Sequence, residues 1–203
     1  SVTGSSADKV TGDVLTFAAT SAVYDNKNVG SNKQISISGI SLGGSDAGNY
    51  ALQNTTATTT GTITRKDVTL SGLTAANKTY DGTVSASITA GTVATGIAGE
   101  ALSVSGSGSF ADKNAGTGKT VTVADVSSLN KINGTGDWGN YNLVTTGAMS
   151  TTANIAQAAL TVTASAVSKT YDATLTAGGS GVVGTLAGAG DLVNSVGTQA
   201  FLD

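Results

Sequence analysis

Lys78-Thr79-Tyr80-Asp81-Gly82 gathers an amine, a phenol and a carboxylate into one short stretch. Such a set could contact a ligand or join its lysine and carboxylate in a crosslink. The same residues also make a turn. An Asp side chain accepts from backbone N–H groups two residues on, and glycine supplies a positive φ. A buried tyrosine ring finds a partner for its hydroxyl. The turn is the stronger reading. The string returns as Lys169-Thr170-Tyr171-Asp172, with Ala173 where Gly82 stood. Alanine in a left-handed conformation costs about 1 kcal/mol, so this turn is expected to differ slightly from the other.

Three further strings have spacings that suggest chemistry. Gly116-Thr117-Gly118-Lys119-Thr120 ends like a phosphate loop, but Lys113 stands where that loop needs a glycine, and a strand follows instead of a helix. It is expected to be a hairpin turn. Gly39-Ile40-Ser41-Leu42-Gly43 has the spacing of a hydrolase nucleophile elbow. Gly134-Thr135-Gly136-Asp137-Trp138-Gly139 has dinucleotide-fingerprint spacing, yet Asn140-Tyr141 and a strand follow where a helix belongs.

Composition removes most reaction classes. The chain has no histidine and no cysteine. It therefore lacks the commonest general base, the commonest transition-metal ligand, thiol nucleophiles and disulfides. No Ser–His pair can form at the elbow-like string. The expectation is a protein that is not an enzyme and takes no cofactor. Asp8, Asp13, Asp25, Asp46, Asp81, Asp112, Asp137, Asp172 and Asp191 fall largely in turn-like stretches, and none has the spacing of a calcium loop. A net charge of −3 leaves no basic stripe for nucleic acid. No run approaches the roughly 18 apolar residues of a membrane span, and no leader is visible at the N-terminus. Asn54, Asn77 and Asn133 begin glycosylation sequons, which a Thr-rich chain produces by chance.

The elements that must position these residues are read from repetition. Asn49-Tyr50 recurs as Asn140-Tyr141, at the same offset as the Lys-Thr-Tyr-Asp pair. Tyr24-Asp25-Asn26-Lys27-Asn28-Val29-Gly30 aligns with Phe110-Ala111-Asp112-Lys113-Asn114-Ala115-Gly116. The period is about 90 residues, too long for a solenoid rung or propeller blade and suited to an immunoglobulin-sized sandwich. Short alternating runs such as Val68-Thr69-Leu70, Val84–Ile88, Leu102-Ser103-Val104 and Val121-Thr122-Val123 are separated by Gly, Ser, Asn and Asp turns. That pattern reads as all-β, a sandwich or a barrel. The expected organisation is a partial repeat over 1–66, a complete one over 67–158 and a partial one over 159–203. Gly12-Asp13 aligns with Gly99-Glu100, and Phe201-Leu202-Asp203 with Phe110-Ala111-Asp112, so both ends are expected to cut a repeat in a longer protein. The junctions Ile63-Thr64-Arg65-Lys66 and Ile155-Ala156-Gln157-Ala158 contain neither glycine nor proline and are expected to be stiff. The stretch from Ala115 to Tyr141 is longer than its counterpart from Val29 to Tyr50. The second repeat thus carries an inserted loop, with the only tryptophan, Trp138, beside Asp137. These two residues are the candidate ligand contact, for a polysaccharide or another cell; packing against the next repeat is the alternative and favoured role of Trp138.

In succession these elements are Lys-Thr-Tyr-Asp-Gly, Phe110–Val123, Gly139-Asn140-Tyr141, Ile155 and Leu160-Thr161-Val162. They resemble the YDG/MBG-type repeats of large bacterial surface proteins, including filamentous-haemagglutinin-like adhesins exported by two-partner secretion. The resemblance spans essentially the whole chain. It implies tandem immunoglobulin-like β-sandwich repeats in an extended rod. It also implies an extracellular, Gram-negative, cell-surface stalk in adhesion or biofilm cohesion, with neighbouring repeats as the main partners. A carbohydrate-binding module using residues 131–139, or a self-associating extracellular fibre subunit, are the other readings. The residues that mark the repeat are Lys78, Tyr80, Asp81, Gly82, Lys169, Tyr171, Asp172, Asn49, Tyr50, Asn140 and Tyr141, and the family motif is a fold signature that brings no binding residue with it. Ala173 for glycine, and Ala111-Asp112 against Asp25-Asn26, are the departures, both in turns.

Overall fold

A computed structural model of the chain describes residues 7–175 and 178–194. The match of Phe201-Leu202-Asp203 to Phe110-Ala111-Asp112 lies outside these residues. The described residues form strands, turns and three short 3-10 turns, with no α-helix. The all-β expectation follows from the alternation and is met. Two compact units form: Ser1–Asp67 together with Asp137–Asn142, and Val68–Gly136 together with Leu143–Asp203.

In the first unit, β1 (Thr16–Ala18), β2 (Ser21–Tyr24), β3 (Gly30–Ser38), β4 (Ser41–Gly43) and β5 (Thr56–Ile63) follow in order. β1 and β4 form an antiparallel pair, and β2-β3-β5 form a three-stranded sheet. Gly39 and Ile40 join β3 to β4. Gly39 has φ +64° and lies against the Thr20 side chain, so a Cβ there would overlap the Thr20 hydroxyl. The elbow-like string is therefore a strand connection, with Ser41 in β4.

The second unit holds β6 (Lys66–Ala75) from Val68 onward, β7 (Lys78–Thr79), β8 (Ser85–Ala94), β9 (Leu102–Phe110), β10 (Gly116–Val123) and β11 (Asn130–Asn133). β12 (Tyr141–Leu143), of which only Leu143 belongs to this unit, and β13 (Met149–Ala156) follow, then β14 (Val162–Ala164) and β15 (Gly181–Val183) as a separate pair. The large sheet runs β12-β6-β8-β9-β10-β13-β7, with β11 on β9. Only Ala76 and Asn77 separate β6 from β7, yet β6 pairs with β8 and β7 with β13. One short bend thus ties β7, at one end of the strand order, to β6, next to the other end, and the sheet curls on itself.

Alternation decides which face closes on the core. In β6, Val68 and Leu70 are buried while Thr69 is exposed. β8 reads the same way through Ala86 and Ile88, and β10 through Val121 and Val123. Side chains two apart share a face of a strand. Val104, Val121 and Val126 are 0% exposed and mark the centre of the core. Small residues let this thin sheet pack closely: a Cβ on Gly91 would lie 2.4 Å from Val104 Cγ2. Among the described residues the buried hydrophobic side chains all lie between Val68 and Ile155. In the third repeat Leu160 and Val162 are 56% and 61% exposed.

The repeat is visible as recurring geometry. β3 pairs with β5 and β10 with β13, and each ladder slips at the same place, between Gly30 and Lys33 and between Gly116 and Lys119. A bulge opposes two residues to one and often needs a left-handed position. Asn32 with φ 53° and Gly118 with φ 60° supply it. Gly116-Thr117-Gly118-Lys119-Thr120 is therefore a bulge inside β10 and not the hairpin turn expected from its glycines. β5 ends at Ile63 and β6 begins at Lys66, so the first junction is the two residues Thr64 and Arg65.

Candidate functional site

The repeated Lys-Thr-Tyr-Asp string builds the same local lock twice. Lys78 Nζ donates to Asp81 Oδ1 at 2.8 Å, to the Thr83 carbonyl at 2.8 Å and to Thr83 Oγ1 at 3.1 Å. The Thr83 N–H and hydroxyl both donate to Asp81 Oδ1, at 2.9 Å each. Lys169, Asp172 and Thr174 repeat every one of these bonds. The threonine two residues after the aspartate is thus part of the motif, a role that sequence inspection missed although Thr83 and Thr174 share the offset. Lys78 is also held over the Phe110 ring, 5.5 Å from its centroid.

The chemistry of this group is that of an ion pair. The Lys78 ammonium, followed by the Thr83 N–H and hydroxyl, holds the Asp81 carboxyl down to about 2 from 3.8. A lowered folded-state pKa gives stability that is present above the unfolded value and lost as pH falls through the folded one. Acidification from pH 4 to pH 2 is therefore expected to lower the melting temperature. Asp81→Asn should lose part of that dependence in a melting series across this window.

The two locks share their backbone as well. Gly82 has φ 76° and Ala173 has φ 60°. The Ala173 turn does not differ from the glycine turn as its composition led us to expect. The lock's bonds hold alanine in the left-handed region. Ala173→Gly is expected to relieve about 1 kcal/mol of strain. At Gly82 an added Cβ would lie 2.4 Å from Gly188 Cα, so Gly82→Ala is expected to destabilise. Hydrogen exchange reads both: the Thr174 amide should slow in the first variant and the Thr83 amide should quicken in the second.

Tyr80 leaves its lock and donates its hydroxyl to Asp191 Oδ1 at 2.8 Å. Lys113 Nζ reaches the same oxygen at 3.2 Å and lies 5.8 Å from the centre of the Tyr80 ring. The Tyr80 hydroxyl, then Lys113, lowers the Asp191 carboxyl below its ordinary value. The Tyr80 hydroxyl, then Asp191, raises the Lys113 amine. A cleft of about 390 Å³ lies beside this triad, lined by Asn114, Gln157, Leu160 and Leu186 among others. Tyr171 has no such surroundings and is 90% exposed.

The turn that departs between repeats keeps its charge pair. Lys33 meets Asp25 at 3.0 Å and Asn26 Oδ1 at 2.6 Å. Lys119 instead pairs with Asp112, which stands at the Asn26 position. The carboxylate has moved one residue along the turn while the bulge lysine still reaches it.

The Asn-Tyr pairs serve structure. The Asn49 N–H donates to the Asp46 carbonyl at 3.0 Å, and the Asn140 N–H donates to the Asp137 carbonyl at 3.0 Å. The Tyr50 hydroxyl donates to Asp13 at 2.6 Å, which raises its own pKa, and accepts from the Val10 N–H. Tyr141 is buried. Within the first unit, Asn140 Oδ1 accepts the Val29 N–H at 2.8 Å, its amide donates to Asn28 at 3.1 Å, and Arg65 donates to the Gly139 carbonyl at 3.1 Å. Residues Asp137–Asn142 are therefore built into the unit formed by Ser1–Asp67.

Trp138 is 8% exposed. The sequence placed it on an inserted loop where it could meet a sugar, but its ring is not presented to solvent. The Asp137 side chain accepts the Gly139 N–H at 3.0 Å and caps the 3-10 turn Trp138–Asn140, which holds the indole inward. Among the described residues no group of three or more potential metal ligands gathers.

These features define an all-β repeat whose recurring motif is an internal lock. The YDG domain family matches residues 1–59 and 64–150, and the chain belongs to that family. Comparison with curated proteins and with solved structures gives no match.

Proposed function

We propose that the chain is a run of structural stalk repeats from a large secreted bacterial adhesin. Each repeat of about 90 residues is an immunoglobulin-like sandwich, with borders at 1–66, 67–158 and 159–203. The run spaces an attachment region from the surface of a Gram-negative cell and serves adhesion or biofilm cohesion.

The recurring ladder carries this reading. β3–β5 and β10–β13 share their register, their bulge and their lysine–carboxylate turn. A geometry shared by both ladders while its charges stand one residue apart fits a framework. The two-residue link between β5 and β6 supports a stiff succession of repeats. Neighbouring repeats are the partners this requires.

The cellular address has its own test. An antibody raised against the chain should label intact cells of the source bacterium. Labelling that appears only after lysis would remove the surface assignment.

A further inference from the structure

We propose that the central repeat bears tension along the chain, through a clamp between its first and last strands that is loaded in shear. β7, which follows β6 after two residues, pairs in parallel with the last strand, β13. Thr151 Oγ1 donates to the Leu73 carbonyl at 2.8 Å, and the Asn154 N–H donates to Asn77 Oδ1 at 2.7 Å. Ile155 then pairs with Lys78 and Ala156 with Thr79, and the Tyr80 N–H closes the series on the Ala156 carbonyl at 2.8 Å. The partners advance in the same direction along the chain, so the two-pair parallel ladder of β7 and β13 is extended into a seam by side-chain bonds at Asn77 and Leu73.

Parallel neighbours place the start of one strand and the end of the other at opposite ends of the seam. The repeat begins at β6 and leaves through β13, so a pull along the chain drives the two strands past each other. Ladder bonds lie across the strands. Such a pull strains all of them at once, where peeling would break them singly. β6 meets the same load against antiparallel β8, one of its two ladder neighbours, from Thr69↔Ala94 to Ala75↔Ile88. The lock adds resistance at the exit of β7, because Lys78 is tied to Asp81 and Thr83 as well as lying in the seam. Ile155, 2% exposed, must leave the core before β13 can slide. The Lys-Thr-Tyr-Asp string is on this account the seam strand and its stop.

The use of this resistance in the cell rests on the stalk reading, but the resistance itself belongs to the repeat. A compact scattering profile would remove the stalk and leave the clamp. The absence of native cysteine allows pulling handles at chosen sites in the full chain. Lys66, Ala98 and Gln157 are exposed. With handles at Lys66→Cys and Gln157→Cys, single-molecule pulling loads the seam end to end. With handles at Lys66→Cys and Ala98→Cys, it unzips β6 from β8. Forced unfolding reads the unfolding barrier, and the end-to-end geometry is expected to rupture at severalfold higher force. Asn77→Ala and Thr151→Val should lower only the end-to-end force. Equal forces in the two geometries, or variants that weaken both alike, would overturn the clamp.

Discussion

Trp138→Ala is expected to cost about 3–5 kcal/mol of stability, the range for truncating a buried tryptophan. The indole is 8% exposed on a turn capped by Asp137 and tied through Asn140 to Asn28 and Val29. The cavity left by the ring has few ways to collapse, since both flanks of the turn are pinned by hydrogen bonds. Asp137→Ala should have a smaller effect of the same sign, about 1 kcal/mol for a lost cap. Urea titration followed by circular dichroism measures both. A sugar-contacting tryptophan predicts the opposite pattern, with an unchanged midpoint and loss of glycan binding.

Ile155→Ala is expected to cost about 2–5 kcal/mol. Ile155 is 2% exposed and faces the core from β13, opposite Gly116 and beside Lys78. The equivalent position in the first repeat is Ile63, which pairs with Gly30 but is only partly buried. Ile63→Ala should therefore cost clearly less. Comparing the two in one denaturation series separates the effect of register, which they share, from that of burial, which they do not. Equal losses would mean that the ladder, not the core, sets the stability of this position.

Much of the fold is legible where side chains obey period two. Val68 and Leu70, Ala86 and Ile88, and Val121 and Val123 alternate in sequence and face the core in the structure. The Asp81 turn is equally legible, because its bonds reach only from Lys78 to Thr83. Long-range choices are not. The glycines at 116 and 118 suggest a turn, but pairing with Ala153 and Ile155 on β13 makes them a bulge. β7 is two residues long and has no periodicity to reveal it, yet its parallel partner closes the sheet. Asp191 reaches Tyr80 from a distant loop, and no local pattern marks that bond. Trp138 stands among glycines and polar residues that read as exposed, yet it is 8% exposed. The Ala173 turn shows the converse: a local penalty is real, but the bonds of the lock outweigh it.

Small-angle X-ray scattering tests the stalk most directly. A compact chain of this length would have a radius of gyration of about 17 Å. A stalk predicts a clearly larger value for the 203-residue chain, and a maximum dimension that grows by equal steps as further repeats are added. A radius close to the compact value, with a maximum dimension that barely changes on adding repeats, would contradict the account.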